Sequence, residues 1–314
     1  MKATLSVIVP VYNAGPYIIL CLESIIRQLW QGCKLIVIDD GSTDRSAAHC
    51  RRYADSFPDK IILIKSDRAG QATARNLGLT LAHSDYIAFC DADDAYLPGA
   101  LQAMVDVLEN NADCNITVGQ YSRRITQFLP ESLRMVDSTE AIISTLYQRP
   151  RFHNSVWATV YRRSGFNGIR FADGRFYEDL EIIPRLYSRS PKIAYLDSPV
   201  YFYRPNPTSY INTWNPSRAD AVWAARSVLD FVRENVPAAV PAATSRLFSA
   251  AFNIFNLATK NGHDDIADRC WNTVIGLRQA MLHDPNVRLK NKTGAALSFL
   301  GNAACSVIAK KAFR

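Results

Sequence analysis

The 314-residue sequence has no apolar run approaching the ~18 residues that span a bilayer as a helix. It has no Cys-x-x-Cys pair: Cys21, Cys33, Cys50, Cys90, Cys114, Cys270 and Cys305 are odd in number and scattered. That excludes a disulfide framework or zinc ribbon and predicts reduced, packed thiols. A G-x-G-x-x-G fingerprint and a Walker loop are both missing, which removes most support for dinucleotide oxidoreductases and P-loop enzymes. There is no internal repeat and no low-complexity tract. The stretch Leu5-Ser6-Val7-Ile8-Val9-Pro10 is too short for a signal-peptide core and lacks a small-residue cleavage pattern, so the folded chain is expected to face the cytoplasm.

Hydrophobic residues make up 48% of the chain and charged residues 21%, enough apolar material for a full core and more than one packing unit. The 36 Lys+Arg against 29 Asp+Glu give a net charge of +7, which suits nucleic acid, anionic lipid or phosphate-bearing substrates alike. Arg288, Lys290, Lys292, Lys310, Lys311 and Arg314 crowd the C-terminal end with no acidic residue among them.

Residues 5–118 alternate strand and helix signals, the pattern of a largely parallel sheet covered on both faces. Strands are predicted at Leu5–Val11, Leu35–Asp39, Ile61–Lys65, Tyr86–Cys90 and Asn115–Val118. Their continuous apolar character suits burial on both faces. Helices are predicted at Pro16–Leu29, Asp44–Ser56, Gln71–Ala82 and Pro98–Asn110, the second starting from Ser42 or Thr43 and the fourth near Pro98. From about residue 120 to 216 the sequence predicts loops and short strands. Ser217–Met281 reads as helical, with Val222, Ala225, Val228, Leu229 and Val232 at helical spacing.

In open parallel sheets, ligands sit beyond the carboxyl ends of the strands. Those positions are acidic here: Asp39, Asp40 and Asp44 follow the second strand, and Asp91, Asp93 and Asp94 follow the fourth. Converging carboxylates repel unless a cation or hydrogen-bond donors offset them, and a hard divalent metal is the simplest resolution. Asp91-Ala92-Asp93 has the spacing of a metal-diphosphate motif, in which water and phosphate oxygens complete the coordination. An EF-hand loop is rejected because Ala95 and Tyr96 stand where a ligand and a glycine are required. The competing reading of these aspartates is a cap for the helix near Pro98. For Asp39 to Asp44 it is a tight turn and an N-cap. Asn13 and Gly15 carry a weak phosphate-binding signal. His153, Asn154 and Trp157 fit either an acceptor surface or packing.

Val7-Ile8-Val9-Pro10-Val11-Tyr12-Asn13, Val37-Ile38-Asp39-Asp40-Gly41-Ser42-Thr43-Asp44, Ala74-Arg75-Asn76-Leu77-Gly78 and Phe89-Cys90-Asp91-Ala92-Asp93-Asp94, in that order, resemble glycosyltransferase family 2. Phe176-Tyr177-Glu178-Asp179-Leu180 resembles the family's Glu-Asp motif, and Tyr201-Phe202-Tyr203-Arg204 its following aromatic-Arg segment. The resemblance implies an α/β GT-A (Rossmann-like) fold: a mostly parallel sheet flanked by helices, with a helical C-terminal extension. It implies a transferase domain over 1–215, with a nucleotide-sugar half at 1–120 and an acceptor half at 121–215, followed by a helical region at 216–314.

By resemblance, Pro10, Tyr12 and Asp40 line the base, with Asp40 reading a uracil N–H, and Asn13 joins the nucleotide-sugar site. Arg75 orients the nucleotide; the alternative for Arg75 and Asn76 is a solvated helix face. Asp91, Ala92 and Asp93 form the motif for Mn²⁺ or Mg²⁺, with Asp93 the more direct ligand. Asp179 is the implied catalytic base, with Glu178 beside it; the alternative is that these acids only open a helix. The 203–204 segment would belong to a closing loop.

The implied activity is inverting transfer of a sugar from a UDP-sugar to a hydroxyl of a glycan, lipid-linked by expectation, in exopolysaccharide, capsule or lipopolysaccharide synthesis. A catalytically silent scaffold is the main alternative. Nucleic-acid binding is disfavoured because the predicted cleft is acidic, and a sugar nucleotidyltransferase because Val11-Tyr12-Asn13-Ala14-Gly15 lacks its Gly-rich basic loop. Residues 289–314, with Leu297, Leu300, Ala304, Val307 and Ile308 on one predicted stripe, suit an anionic membrane surface or docking on the protein's own body.

Overall fold

The computed structural model describes residues 3–129, 132–206 and 213–312. The chain divides into two compact units, one of Met1–Ser138, Ser155–Gly174 and Arg185–Pro205, the other of Thr139–Asn154, Arg175–Pro184 and Asn206–Arg314.

The first unit is built on one sheet. Its strands are β1 (Leu5–Val11), β2 (Lys34–Asp39), β3 (Ile61–Lys65), β4 (Tyr86–Phe89), β5 (Ala95–Tyr96), β6 (Cys114–Ser122), β7 (Leu133–Asp137), β8 (Thr159–Arg162) and β9 (Lys192–Phe202). Their order is β3-β2-β1-β4-β8-β6-β9-β5, with β7 also paired to β9. β1 to β4 run parallel, β8 is antiparallel to both β4 and β6, and β6 and β9 are parallel. Every residue of β1 and β4 is buried, which is what their unbroken apolar sequence requires of strands covered on both faces.

The helices between these strands are α1 (Tyr17–Ile26), α2 (Ser46–Ser56), α3 (Gln71–Leu81) and α4 (Ala100–Glu109). α4 buries Ala100, Leu101, Met104, Val105 and Leu108, one apolar stripe at helical spacing. α3 lies so close to β1 that a Cβ on Gly78 would stand 2.4 Å from Ile8 Cγ2.

Two helix starts differ from the sequence expectation. α2 begins at Ser46 after Arg45 rather than after Ser42 or Thr43, and α4 begins at Ala100 after Gly99, which takes a left-handed φ of +83°. Neither has a side chain bonded as its cap. The region after residue 120 is also more regular than expected, since β9 runs for 11 residues. Its apolar and aromatic side chains, Tyr195, Val200 and Tyr201 among them, are fully buried. Pro199, at an irregularity in its pairing with β6, hides the strand in the sequence.

The second unit is helical. α5 (Ser138–Leu146) and α6 (Glu178–Tyr187) contribute most of their length to it, and α7 (Asp220–Asn235), α8 (Val240–Lys260), α9 (Asp264–His283), α10 (Leu289–Leu297) and α11 (Asn302–Ala312) follow. α8 is the hub, packing on α7, α9, α10 and α11. Ala243, Ala251 and Ala258 on it are fully buried, and Phe248, Phe252 and Phe255 continue to Trp271 of α9 in a chain of ring contacts.

The apolar stripe predicted near the C-terminus is not one helix. Gly301, at φ +91°, separates α10 and the short 3-10 turn Ser298–Leu300 from α11. α11 buries its small residues Cys305 and Ala309, while Phe299 (51%), Leu300 (62%) and Val307 (53%) stay exposed. Arg314 of the basic set lies outside the described residues. Among the described residues no helix is long and apolar enough to cross a membrane. All seven cysteines are buried and free.

Candidate active site

β1 is the switch point of the sheet, because the chain leaves it toward β2 on one side and returns as β4 on the other. The loops after β1, β2 and β4 therefore meet at one carboxyl edge, where a ligand crevice forms in folds of this kind.

The loop after β1 is held by the loop after β2. Asn13, at φ +48°, accepts through its Oδ1 from the Thr43 amide at 2.8 Å and donates through Nδ2 to Thr43 Oγ1 at 3.2 Å. The Gly15 amide donates to Asp44 Oδ2 at 2.8 Å and to Ser46 Oγ at 3.0 Å. Burial raises the Asp44 pKa, but the Ser46 and Gly15 hydrogen bonds outweigh it and hold the carboxyl below its ordinary value. Asp39 Oδ1 closes the turn by accepting from the Ser42 amide at 3.1 Å. For Asp39 and Asp44 the structure thus shows turn and loop-anchoring roles.

Asp40 is buried and reaches the other way. Its Oδ1 accepts from the Ser66 hydroxyl and from the Ala69 amide at 2.8 Å, and its Oδ2 from the Gly70 amide at 2.8 Å. The carboxylate fixes the loop that opens α3. In that loop the Arg68 guanidinium lies 4.6 Å from the centroid of the half-exposed Tyr12 ring, so two neighbouring loops share a flat cation–π surface at the crevice. Pro10 is buried within β1, paired with Ile38.

Arg75 is 1% exposed, which excludes a solvated helix face. Its Nη2 pairs with Asp91 Oδ1 at 2.9 Å and its guanidinium lies 5.5 Å from the Phe171 ring centroid. Asn76, one residue on, clamps the 171–173 segment: it donates to the Phe171 carbonyl at 2.9 Å and accepts from the Phe171 amide at 2.9 Å.

Asp91 Oδ1 also accepts from Gln71 Nε2 at 3.0 Å, and the Asp91 amide donates to the Tyr201 hydroxyl at 3.0 Å. Ala92 is buried beside it. Arg204 fixes the next two residues, donating from Nε to the Asp93 carbonyl and from its amide to Asp94 Oδ1, both at 2.8 Å. None of these aspartates caps α4, whose first turn has no side-chain cap. Burial, together with the charges of Asp91 and Asp93, pushes the Asp94 carboxyl up to about 8, and its Oδ2 is buried without a hydrogen-bond partner. Near neutral pH Asp94 is therefore held in its protonated, uncharged form, and the negative charge at this edge rests on Asp91 and Asp93.

The sequence pointed to no role for Gln71; it placed Asp94 only among the converging acids, and it did not show that Trp157 and the 201–204 segment form one wall behind the motif. In that wall Trp157 stacks on Tyr201 (4.9 Å between centroids) and on Tyr203 (5.3 Å), and Tyr121 meets Trp157 edge-on. Burial first, and then Asp94, Asp91 and Asp93, raise the Tyr203 pKa, which places that phenol beside the acidic cluster. Trp157 is packed, at 8% exposure, and the run of four aromatic and basic residues at 201–204 was the signal that marked this wall.

In the helical unit, Glu178 and Asp179 open α6, preceded by Tyr177 at φ +62°. Glu178 is buried and Asp179 partly exposed. Glu181 Oε1 accepts from Ser227 Oγ at 3.0 Å, and Arg175 Nη1 pairs with Asp220 at 3.0 Å, fixing the segment before the helix to α7. The acids satisfy the helix-start preference for negative charge, and that local reason explains why α6 begins here.

Residues 6–173 match the model of Glycosyl transferase family 2, and the chain belongs to that family. The uncharacterized glycosyltransferase YibD of Escherichia coli (strain K12) is 33% identical over 216 residues, 65% of this chain and 62% of that protein. The minor teichoic acid biosynthesis protein GgaA of Bacillus subtilis (strain 168) is 28% identical over 207 residues, 63% of this chain and 46% of its own length. The chain thus spans less than two thirds of the length of these relatives. In structure it resembles S. aureus TarS 1–349, solved in complex with UDP-GlcNAc, with a TM-score of 0.74, covering 99% of this chain and 91% of that one at 17% identity. The GT-A fold expected from the sequence is the fold observed.

Proposed function

We propose that the protein is an inverting, metal-dependent glycosyltransferase that moves a sugar from a UDP-sugar to a hydroxyl of a cell-surface glycan. The observation that carries this reading is the cluster of Asp91, Asp93 and Asp94 at the carboxyl edge of the switch point, anchored by the buried Arg75 and crowded enough that the Asp94 carboxyl holds its proton. Among the described residues no three His, Cys, Asp or Glu side chains converge as a cage for a cation. The donor set fits a hard cation that takes its remaining ligands from a diphosphate and water, which is how Mg²⁺ and Mn²⁺ are commonly held.

By family resemblance Asp93 is the more direct ligand, and Asp91, whose Oδ1 accepts from Arg75 and Gln71, the supporting one. When bound, the cation would supply charge neutralisation of the leaving diphosphate. Arg75 holds Asp91 in place, Pro10 and Tyr12 border the base, and Asp40 presents the 66–70 loop while keeping lone-pair capacity for a base N–H. Asp179 accepts the proton of the attacking hydroxyl at its carboxylate, Glu178 supports it, and a single in-line displacement inverts the anomeric centre. The uridine and the polysaccharide context are supported by the likeness to TarS, solved with UDP-GlcNAc, and to the teichoic acid biosynthesis protein GgaA.

The acceptor is lipid-linked in this reading. Phe299, Leu300 and Val307 stand exposed among Lys290, Lys292, Lys310 and Lys311, the composition of an interfacial membrane contact.

The test is binding and turnover of UDP-, GDP- and dTDP-sugars with and without Mn²⁺ or Mg²⁺. One UDP-sugar should be used in a metal-dependent way. Asp93→Ala should abolish metal-dependent donor binding, and Asp179→Asn should keep binding while turnover falls about 10²–10⁴-fold. No nucleotide-sugar binding under any condition would overturn the reading in favour of a silent scaffold.

A further inference from the structure

Three cations of the helical unit stand together, and among the described residues no ion pair joins any of them to a carboxylate. Arg246 lies on α8, with its Nε buried and no hydrogen-bond partner. The titratable groups that act on it are the Arg288 guanidinium and the Tyr177 phenol, with no carboxylate among them. Arg288 is the residue before α10, and its Nη2 donates to Ser249 Oγ at 3.2 Å, three positions along α8 from Arg246. Lys290, in the first turn of α10, feels both arginines.

Burial and then mutual repulsion depress the Arg246 and Lys290 pKa values, the first to about 10, and burial depresses that of Arg288. Like charges gathered against a protein body are costly unless an opposite charge joins them. Nothing in the immediate chain supplies one: the first turn of α10 contains no acidic residue and its start has no side-chain cap. The amino end of this nine-residue helix adds its own positive potential to the same place. Two guanidinium groups and an ammonium at a helix start match the shape and charge of a phosphate, which arginine grips with paired N–H donors.

We propose that Arg246, Arg288 and Lys290 form a phosphate-binding site, distinct from the diphosphate site at Asp91 and Asp93, that holds a phosphate group of the acceptor. Tyr177, whose phenol acts electrostatically on Arg246, immediately precedes Glu178 and Asp179, so the site lies in the neighbourhood of the turn that presents the base. Assigning the phosphate to the acceptor rests on Asp179 being that base; the existence of the anion site does not.

The experiment is calorimetric titration of the full chain with pyrophosphate at constant ionic strength without divalent metal, repeated with UDP and Mn²⁺ present. Wild type and Asp93→Ala should bind one pyrophosphate equally well, and saturating UDP should leave that binding in place. Arg288→Gln and Lys290→Gln, both at the surface end of the cluster, should weaken it at least tenfold and threefold. Arg246→Gln should abolish it, with circular dichroism checking the fold. Absence of binding in wild type, unchanged affinity in Arg288→Gln and Lys290→Gln, or one-for-one displacement by UDP would overturn the site. If it stands, pyrophosphate should inhibit transfer competitively against acceptor even at saturating donor, where its binding at the metal site is suppressed. Competition with donor alone would remove the acceptor assignment while leaving the anion site.

Discussion

A carboxylate has about four lone-pair positions, and Asp40 commits three of them to the Ser66 hydroxyl and the amides of Ala69 and Gly70. Asp40→Asn turns one of those acceptors into a donor facing an N–H. The expected cost is ~1–3 kcal/mol in urea unfolding of the first unit, together with weaker UDP binding. Unchanged stability would remove the loop-anchoring role and leave only direct contact with the base. Arg75→Met should destabilise by about 2 kcal/mol, below the range for a fully buried ion pair because Asp91 is 24% exposed. The same urea titration measures it, and donor affinity should fall with it. At this scale the sequence exposed the acidic residues but not their partners. Resemblance alone set Asp40 apart from Asp39 and Asp44, and only the fold shows that Asp39 closes its own turn, Asp44 bonds Ser46 and the Gly15 amide of the loop after β1, and Asp40 holds the loop that opens α3.

Among the elements, α3 and β1 meet with no room for a side chain at Gly78. Gly78→Ala, although alanine is the better helix former, should lower stability by about 1–3 kcal/mol through overpacking against Ile8, measured as a lower unfolding midpoint. A midpoint equal to or above wild type would show that α3 can shift at no cost. The parallel half of the sheet was legible because strands buried on both faces read as unbroken apolar runs, with helical spacing between them. The insertion of β8 antiparallel between β4 and β6 was not, since its four residues carry no periodicity and its partners are set by tertiary register. The start of α4 was placed too early because Pro98 is a strong helix-start signal, whereas the turn is made by Gly99 in a conformation that side chains rarely adopt.

For the molecule as a whole, the acidic crevice belongs to the sheet unit, while the surplus of positive charge concentrates near the C-terminal end of the helical one. The chain is therefore expected to bind vesicles containing anionic lipid and to ignore neutral ones. Leu300→Ser with Val307→Ser should reduce co-flotation severalfold without altering donor binding; equal flotation of the double variant would discard the membrane contact. α11, which turns its small residues inward and its large ones outward, has a practical corollary. After cell breakage the activity should sediment with the envelope, resist washing in dilute buffer, and come free only when high salt is combined with a mild detergent. Clarified lysate alone would then under-represent the enzyme, and column retention on phenyl resin should outlast what a water-soluble protein of this size shows.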